Sequence, residues 1–239
     1  MTHMEDDLSP KHLVLLPGLD GTGELFADFL TVLPTSLATT VVSYPANIFL
    51  SYSELLHLVS TAVPKAEPFV VLAESFSTPL AIKYAATSPP NLAAVVICAG
   101  FARKPIAGSS RLVKAVAKPW FFKLRPPQFI LEYFLVGKNA PPGLIQLLRQ
   151  TLQRVRPEVL SGRVREVLEC DARDDLARTT VPVMYLHGFH DRLLSASCQR
   201  EILRIRADVE LATVEGPHML LQREPQKVAN LVVPFIAKS

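Results

Sequence analysis

Short apolar runs alternate with amphipathic stretches along most of the chain. Residues 12–16 (HLVLL) form an apolar run that stops at Pro17-Gly18, the signature of a buried strand. The pattern recurs at 39–44 (TTVVSY), 69–73 (FVVLA), 94–99 (AVVICA), 181–186 (VPVMYL) and 209–214 (VELATV). Each run is short and rich in β-branched residues, which favours strand over helix. Between them, residues 24–33, 52–63, 77–87, 195–206 and 224–236 carry helical periodicity. Strand–helix alternation predicts an α/β fold, with a mostly parallel central sheet flanked by helices on both faces.

Residues 102–170 interrupt this rhythm. They contain no strand-like run, and prolines at Pro105, Pro119, Pro126-Pro127, Pro141-Pro142 and Pro157 divide them into four short predicted helices. In one of these, Leu144, Leu147, Leu148, Leu152 and Val155 share a face, with Gln146, Arg149, Gln150, Gln153 and Arg154 opposite. The segment reads as a helical cap, or lid, inserted over the sheet, so the α/β core comprises 1–101 and 171–239. The insertion also carries 13 Lys or Arg against 4 Asp or Glu, a balance of +9, whereas the rest of the chain has 12 against 18. Such a surface concentrates anionic partners; the alternative is a set of cations that simply solvates an exposed cap.

Composition excludes several classes. At 239 residues, 49% hydrophobic and 20% charged, the chain supports one globular core and is too apolar for a disordered segment. Three scattered cysteines without a CxxC pair argue against a disulfide scaffold or a zinc site. A net charge of +3 does not call for nucleic acid. The first ten residues, MTHMEDDLSP, are acidic and polar where a signal peptide is basic and then apolar, and no stretch approaches a transmembrane segment. A soluble cytoplasmic protein is expected.

The candidate chemistry centres on Ala73-Glu74-Ser75-Phe76-Ser77, which ends one predicted strand and opens a helix. A nucleophile elbow needs that context: a strained turn lifts the serine above the sheet edge, and small residues two before and two after allow close backbone approach. The alternative is an ordinary helix N-cap at Ser75 or Ser77. A serine nucleophile needs a base. Of six histidines, His218 follows the last predicted strand in a Gly216-Pro217-His218 turn, and His187 and His190 are its competitors. The base in turn needs an orienting carboxylate. Asp191, just past strand 181–186, is the candidate; Asp171, Asp174 and Asp175 read as solvated loop charges. Backbone N–H groups of Leu19, in the glycine-rich loop PGLDGTG, and of Phe76 are the natural oxyanion donors. That loop lacks a P-loop lysine and has GxxGxG rather than GxGxxG spacing, so nucleotide binding is disfavoured. Glu74 is expected to make a structural hydrogen bond near the elbow.

These motifs together resemble the α/β-hydrolase superfamily along nearly the whole chain. LPGLDGTG resembles the oxyanion loop, AESFS the elbow, HGFHD the acid loop and GPH the histidine loop, in the chain order Ser75, Asp191, His218. The chain is similar to small cytoplasmic carboxylesterases and pimeloyl-carrier-protein methyl esterases. It departs at Pro17, where many members have histidine, and in the alanine and serine of the elbow. The resemblance implies a serine carboxylesterase acting on small- to medium-chain acyl esters through an acyl-enzyme, with no metal and no organic cofactor. Thioesterase action, C–C bond hydrolysis, cleavage of a group borne by an acidic acyl carrier docked on the basic cap, and non-catalytic ligand binding are the alternatives. Trp120, Phe121, Phe122, Phe129, Tyr133 and Phe134 are expected either to line an apolar acyl pocket under a cationic rim or to pack as plain core.

Overall fold

The protein is described by a computed structural model covering residues 12–105, 118–123 and 127–239. The N-terminal tail with His3, stretches 106–117 and 124–126 of the expected cap, and the Phe121 side chain lie outside the described residues.

Among the described residues, six strands form one sheet: β1 (His12–Leu16), β2 (Ala38–Val41), β3 (Phe69–Glu74), β4 (Leu92–Cys98), β5 (Val183–Gly188) and β6 (Glu210–Val214). Their order is β2-β1-β3-β4-β5-β6, and every pairing is parallel. Alternate side chains enter two separate cores. Val14, Leu16, Val71, Ala73, Val95, Ile97 and Tyr185 face one layer of helices, and Leu13, Leu15, Val70, Leu72, Val96, Met184 and Leu186 face the other. Burial on both faces is why the central strands read as unbroken apolar runs rather than alternating ones.

The first layer holds α2 (Tyr52–Ala62), α3 (Thr78–Ala85), α8 (Arg173–Arg178) and α9 (Ala196–Ile205); the second holds α1 (Ala27–Thr31), α10 (Leu220–Arg223) and α11 (Pro225–Lys238). Helix α2 starts at a capping box, Ser51 binding the Glu54 amide while the Glu54 carboxylate accepts from the Ser51 amide. Between β4 and α8 lie α4 (Pro119–Lys123), α5 (Gln128–Leu131), α6 (Pro142–Arg154) and α7 (Pro157–Glu169), with α5 widening into a π turn over Glu132–Val136. Pro142 and Pro157 open their helices, where a missing N–H costs nothing.

Helix α10 and helix α8 had no counterpart in the periodicity. Asp174 and Asp175 occupy the first turn of α8, where the helix dipole favours acids, instead of lying in a loop. The expected strand 39–44 ends sooner, at Val41: the Val42 amide still binds the Leu15 carbonyl of β1, whereas the Tyr44 amide turns to the carbonyl of Gly21, in the loop after β1. Strand β5 begins after Pro182, which has no N–H for the ladder but still accepts from Val95. No described helix is long and apolar enough to cross a membrane.

The end of β5 packs tightly on the turn before His218: a Cβ added at Gly188 would lie 2.4 Å from the Pro217 carbonyl oxygen. Gly188→Ala is therefore expected to lower unfolding stability by about 1–3 kcal/mol, read as a reduced urea midpoint with an unchanged slope.

Candidate active site

Parallel pairing places the loops after β1, β3, β5 and β6 along one edge of the sheet, where chain order reverses between β1 and β3. Ser75 follows β3 directly. Its φ of 48° is a left-handed conformation, held by the buried flanks Ala73 and Ser77 and by the 3₁₀ turn Ser75–Ser77 that feeds α3. Ser77 does more than stay small. Its hydroxyl donates to the Pro17 carbonyl and accepts from the Tyr44 hydroxyl at 2.6 Å, tying the elbow to the loop after β1. The Phe76 carbonyl accepts from the Tyr52 hydroxyl at 2.7 Å, and the two rings stack with centroids 5.0 Å apart. Thr78 Oγ1 donates to the Ser75 carbonyl at 2.8 Å.

The structure brings Ser75, His218 and Asp191 together. His218 Nε2 lies 2.9 Å from Ser75 Oγ, and His218 Nδ1 lies 2.8 Å from Asp191 Oδ2. The other Asp191 oxygen accepts from the amides of Leu193 and Leu194 at 2.8 and 2.9 Å. Burial pushes the Asp191 carboxyl up, but the His218 contact and those two amides outweigh it and leave it below its ordinary value. An ionised Asp191 can only accept, so Nδ1 carries the imidazole hydrogen and Nε2 accepts from the Ser75 hydroxyl. The loop with Leu19 lies against the elbow through the Ser77–Pro17 bond, and Phe76 is the residue after Ser75.

The competing residues stand elsewhere. His190 pairs with Glu215 on the exposed surface at 2.9 Å. His187 belongs to β5 beside Tyr185, and burial pushes its imidazole down. Asp171 pairs with Arg173, and Asp175 with Lys83 and Arg178. Among the described aromatics of the insertion, Trp120, Phe129, Tyr133 and Phe134 do not enclose a pocket: they are 53%, 68%, 54% and 40% exposed. The last three line an outer groove with Ile130, Lys138 and Arg192, and Arg192 lies over the Tyr133 ring. Phe122 is partly buried against Val155, Val159 and Leu160. Among the described residues, no three His, Cys, Asp or Glu side chains are grouped to hold a metal.

Three further residues escaped sequence reasoning. Arg163, from α7, is buried at 2% exposure and donates to the carbonyls of Leu19 (2.9 Å), Asp20 (2.7 Å) and Pro45 (3.0 Å). Asp20 is also buried, and its carboxylate accepts from the Thr22 amide and hydroxyl. Gln222 donates to Glu74 Oε2 at 3.3 Å, the structural hydrogen bond of the buried Glu74, while its own carbonyl oxygen has no protein partner. In sequence these are a cation among thirteen, a loop acid and a helix amide, and no spacing sets them apart.

With this geometry the chain has the α/β-hydrolase fold. No family model and no curated protein matches it. Among solved structures it is similar to a hydrolase from Oleispira antarctica, with 13% identity and a TM-score of 0.81, covering 95% of this chain and 91% of the other. It is also similar to a lipase-esterase related protein from Clostridium acetobutylicum ATCC 824, with 16% identity, a TM-score of 0.76 and 98% of each chain covered. The enol-lactonase from Burkholderia xenovorans LB400 matches with 14% identity and a TM-score of 0.76, over 99% of this chain and 93% of that one.

Burial pushes the Glu74 carboxyl up to about 7, against smaller opposing effects of His218 and Gln222. Between the unfolded value near 4.5 and about 7 the folded protein therefore holds the extra proton, and stability falls as pH rises through that window. Asp191 acts the other way, its stabilisation being lost only as pH falls below its unfolded value of 3.8. Glu74→Gln should remove the decline between pH 4.5 and 7 and gain at most about 3 kcal/mol at pH 8, checked by urea unfolding at pH 5 and pH 8.

Proposed function

We propose that the protein is a serine hydrolase that cleaves carboxylic esters through an acyl-enzyme. The observation that carries this reading is the continuous hydrogen-bonded chain from Ser75 through His218 to Asp191, with the serine on a left-handed turn at the sheet edge. Similarity to structures named as a lipase-esterase related protein and an enol-lactonase supports ester chemistry.

In the first step, Ser75 Oγ bonds to the acyl carbon as His218 Nε2 takes the hydroxyl proton. The carbonyl oxygen becomes an oxyanion, stabilised by the N–H groups of Leu19 and Phe76. The imidazolium gives its proton to the alkoxide oxygen as the C–O bond breaks, and the alcohol leaves. A water then loses a proton to His218 and adds to the acyl carbon. Collapse frees the carboxylic acid and returns the proton to Ser75. Asp191 stays ionised throughout, holding Nδ1–H and stabilising the imidazolium. The helical insertion is the cap of this site: Leu25 and Met219, beside the loop after β1 and the histidine turn, pack on Leu131, Val136, Leu144, Ile145 and Leu148.

Hydrolysis of p-nitrophenyl esters from acetate to palmitate tests the proposal. Wild type is expected to turn over part of the series, with the chain-length optimum reporting the acyl site. Ser75→Ala should lower kcat at least about 10³-fold, and Asp191→Asn by about 10³–10⁴-fold, because Asn favours the wrong imidazole tautomer. A folded Ser75→Ala protein that keeps most of its turnover would sink the assignment.

A further inference from the structure

The buried guanidinium of Arg163 has no role in the proton relay, and its surroundings are unusual. It sits in an interior crossing between the insertion and the core, yet it hydrogen-bonds no carboxylate. Its donors go to main-chain carbonyls: Nη1 to Leu19 and Asp20, Nη2 to Pro45. The Asp20 carboxylate and the Tyr44 ring, 5.6 Å from Cζ, supply its electrostatic balance at longer range. A full charge out of water is costly unless geometry and hydrogen bonds compensate it. Here the compensation comes from one loop, Gly18 to Gly21, and from the strand exit beside it.

That loop carries the Leu19 N–H. The peptide plane bearing this N–H also bears the Gly18 carbonyl, which accepts from the Gly21 amide at 3.1 Å. The next two planes carry the Leu19 and Asp20 carbonyls, and Arg163 binds both. All three carbonyls of the turn are thus occupied, and none can rotate without giving up a hydrogen bond, two of them charge-assisted. Gly21, at φ 69°, completes the turn with so little room that an added Cβ would lie 2.5 Å from Arg163 Nη1. The Gly21 carbonyl is in turn held by the Tyr44 amide at 2.7 Å.

We infer that Arg163 is a positioning residue for the oxyanion hole, a cation supplied by the insertion that locks the turn 18–21 so that the Leu19 N–H is preset toward the acyl oxygen. This rests on the ester-hydrolase reading above. Preset donors stabilise charge that develops only in the transition state, so loosening one slows turnover without weakening ground-state binding. The insertion thereby contributes to the chemistry through the loop it pins, in addition to covering the site.

The test uses the full chain, the best p-nitrophenyl ester of the series, and a trifluoromethyl ketone bearing the same acyl chain, whose adduct with Ser75 places an oxyanion in the hole. Arg163→Met and Arg163→Gln are expected to lower kcat at least about tenfold with KM within about threefold, and to raise the ketone Ki by the factor lost in kcat/KM. Arg163→Lys, with one ammonium for three carbonyls, should fall between them and wild type. Arg154→Met, which breaks a separate tie from the insertion to Glu24, should leave kcat within about twofold. A folded Arg163→Met or Arg163→Gln with kcat and Ki within about twofold of wild type overturns the inference, as does an equal loss in Arg154→Met. Should both neutral variants unfold, Gly21→Ala decides, since its Cβ displaces the guanidinium: wild-type kcat and Ki there overturn the role. An inert wild type overturns the esterase reading and this inference with it, whereas active wild type with unaffected variants overturns Arg163 alone.

Discussion

A parallel sheet delivers the carboxyl end of every strand to the same edge, and everything at this site depends on that constraint. The registers Leu16 to Ala73 and Gly188 to Val214 bring neighbouring strands to the edge at nearly the same height. From there, the loops carrying Leu19, Ser75, Asp191 and His218 need only short excursions to meet. Asp191 and His218 are 27 positions apart in sequence, yet they meet because β5 and β6 are adjacent. Helices on both faces enforce the arrangement, since a one-residue slip would turn each strand's two apolar faces into the wrong cores.

Around that edge, most buried polar groups have partners that the fold supplies, the Gln222 carbonyl oxygen being an exception. Asp191 accepts from an imidazole and two amides; Arg163 donates to three carbonyls; Ser77 joins Pro17 and Tyr44. Glu74 is the weakest case: burial pushes its carboxyl up to about 7, and one long hydrogen bond from Gln222 offsets only part of that. The serine in the elbow where glycine is common is explained by the same principle. Its hydroxyl satisfies a buried carbonyl and a buried phenol that glycine would leave without this partner.

The insertion engages the core on both sides of the reacting groups. Arg163 reaches the loop after β1, while the Leu135 carbonyl accepts from the Met219 amide next to His218. Three of its aromatic side chains do the opposite of what a buried acyl pocket requires: Phe129, Tyr133 and Phe134 lie outward, beside Lys138 and Arg192. The buried contacts of α5 to α7 centre on aliphatic residues, Leu131, Leu144, Leu148, Val159 and Leu160, with Phe122 and Phe49 packed against the last two.

Hydrophobic patterning was enough to determine the six strands, the helices between most of them, the interruption after β4, and the candidates Ser75, Asp191 and His218. Those features are local: strand periodicity, a small-residue turn between strand and helix, and a polar residue just past a strand end are written in neighbouring positions. Helices α8 and α10 were missed because they are six and four residues long, too short to show a helical period. Only the tertiary structure decided that Ser75, His218 and Asp191 touch, that His190 pairs outward with Glu215, and that Trp120, Phe129, Tyr133 and Phe134 face solvent. It alone picked Arg163 out of thirteen insertion cations, because a guanidinium 143 positions from Asp20 is defined by the carbonyls it reaches. Contacts between distant segments depend on how both faces of the sheet are packed, and no window of sequence contains that information.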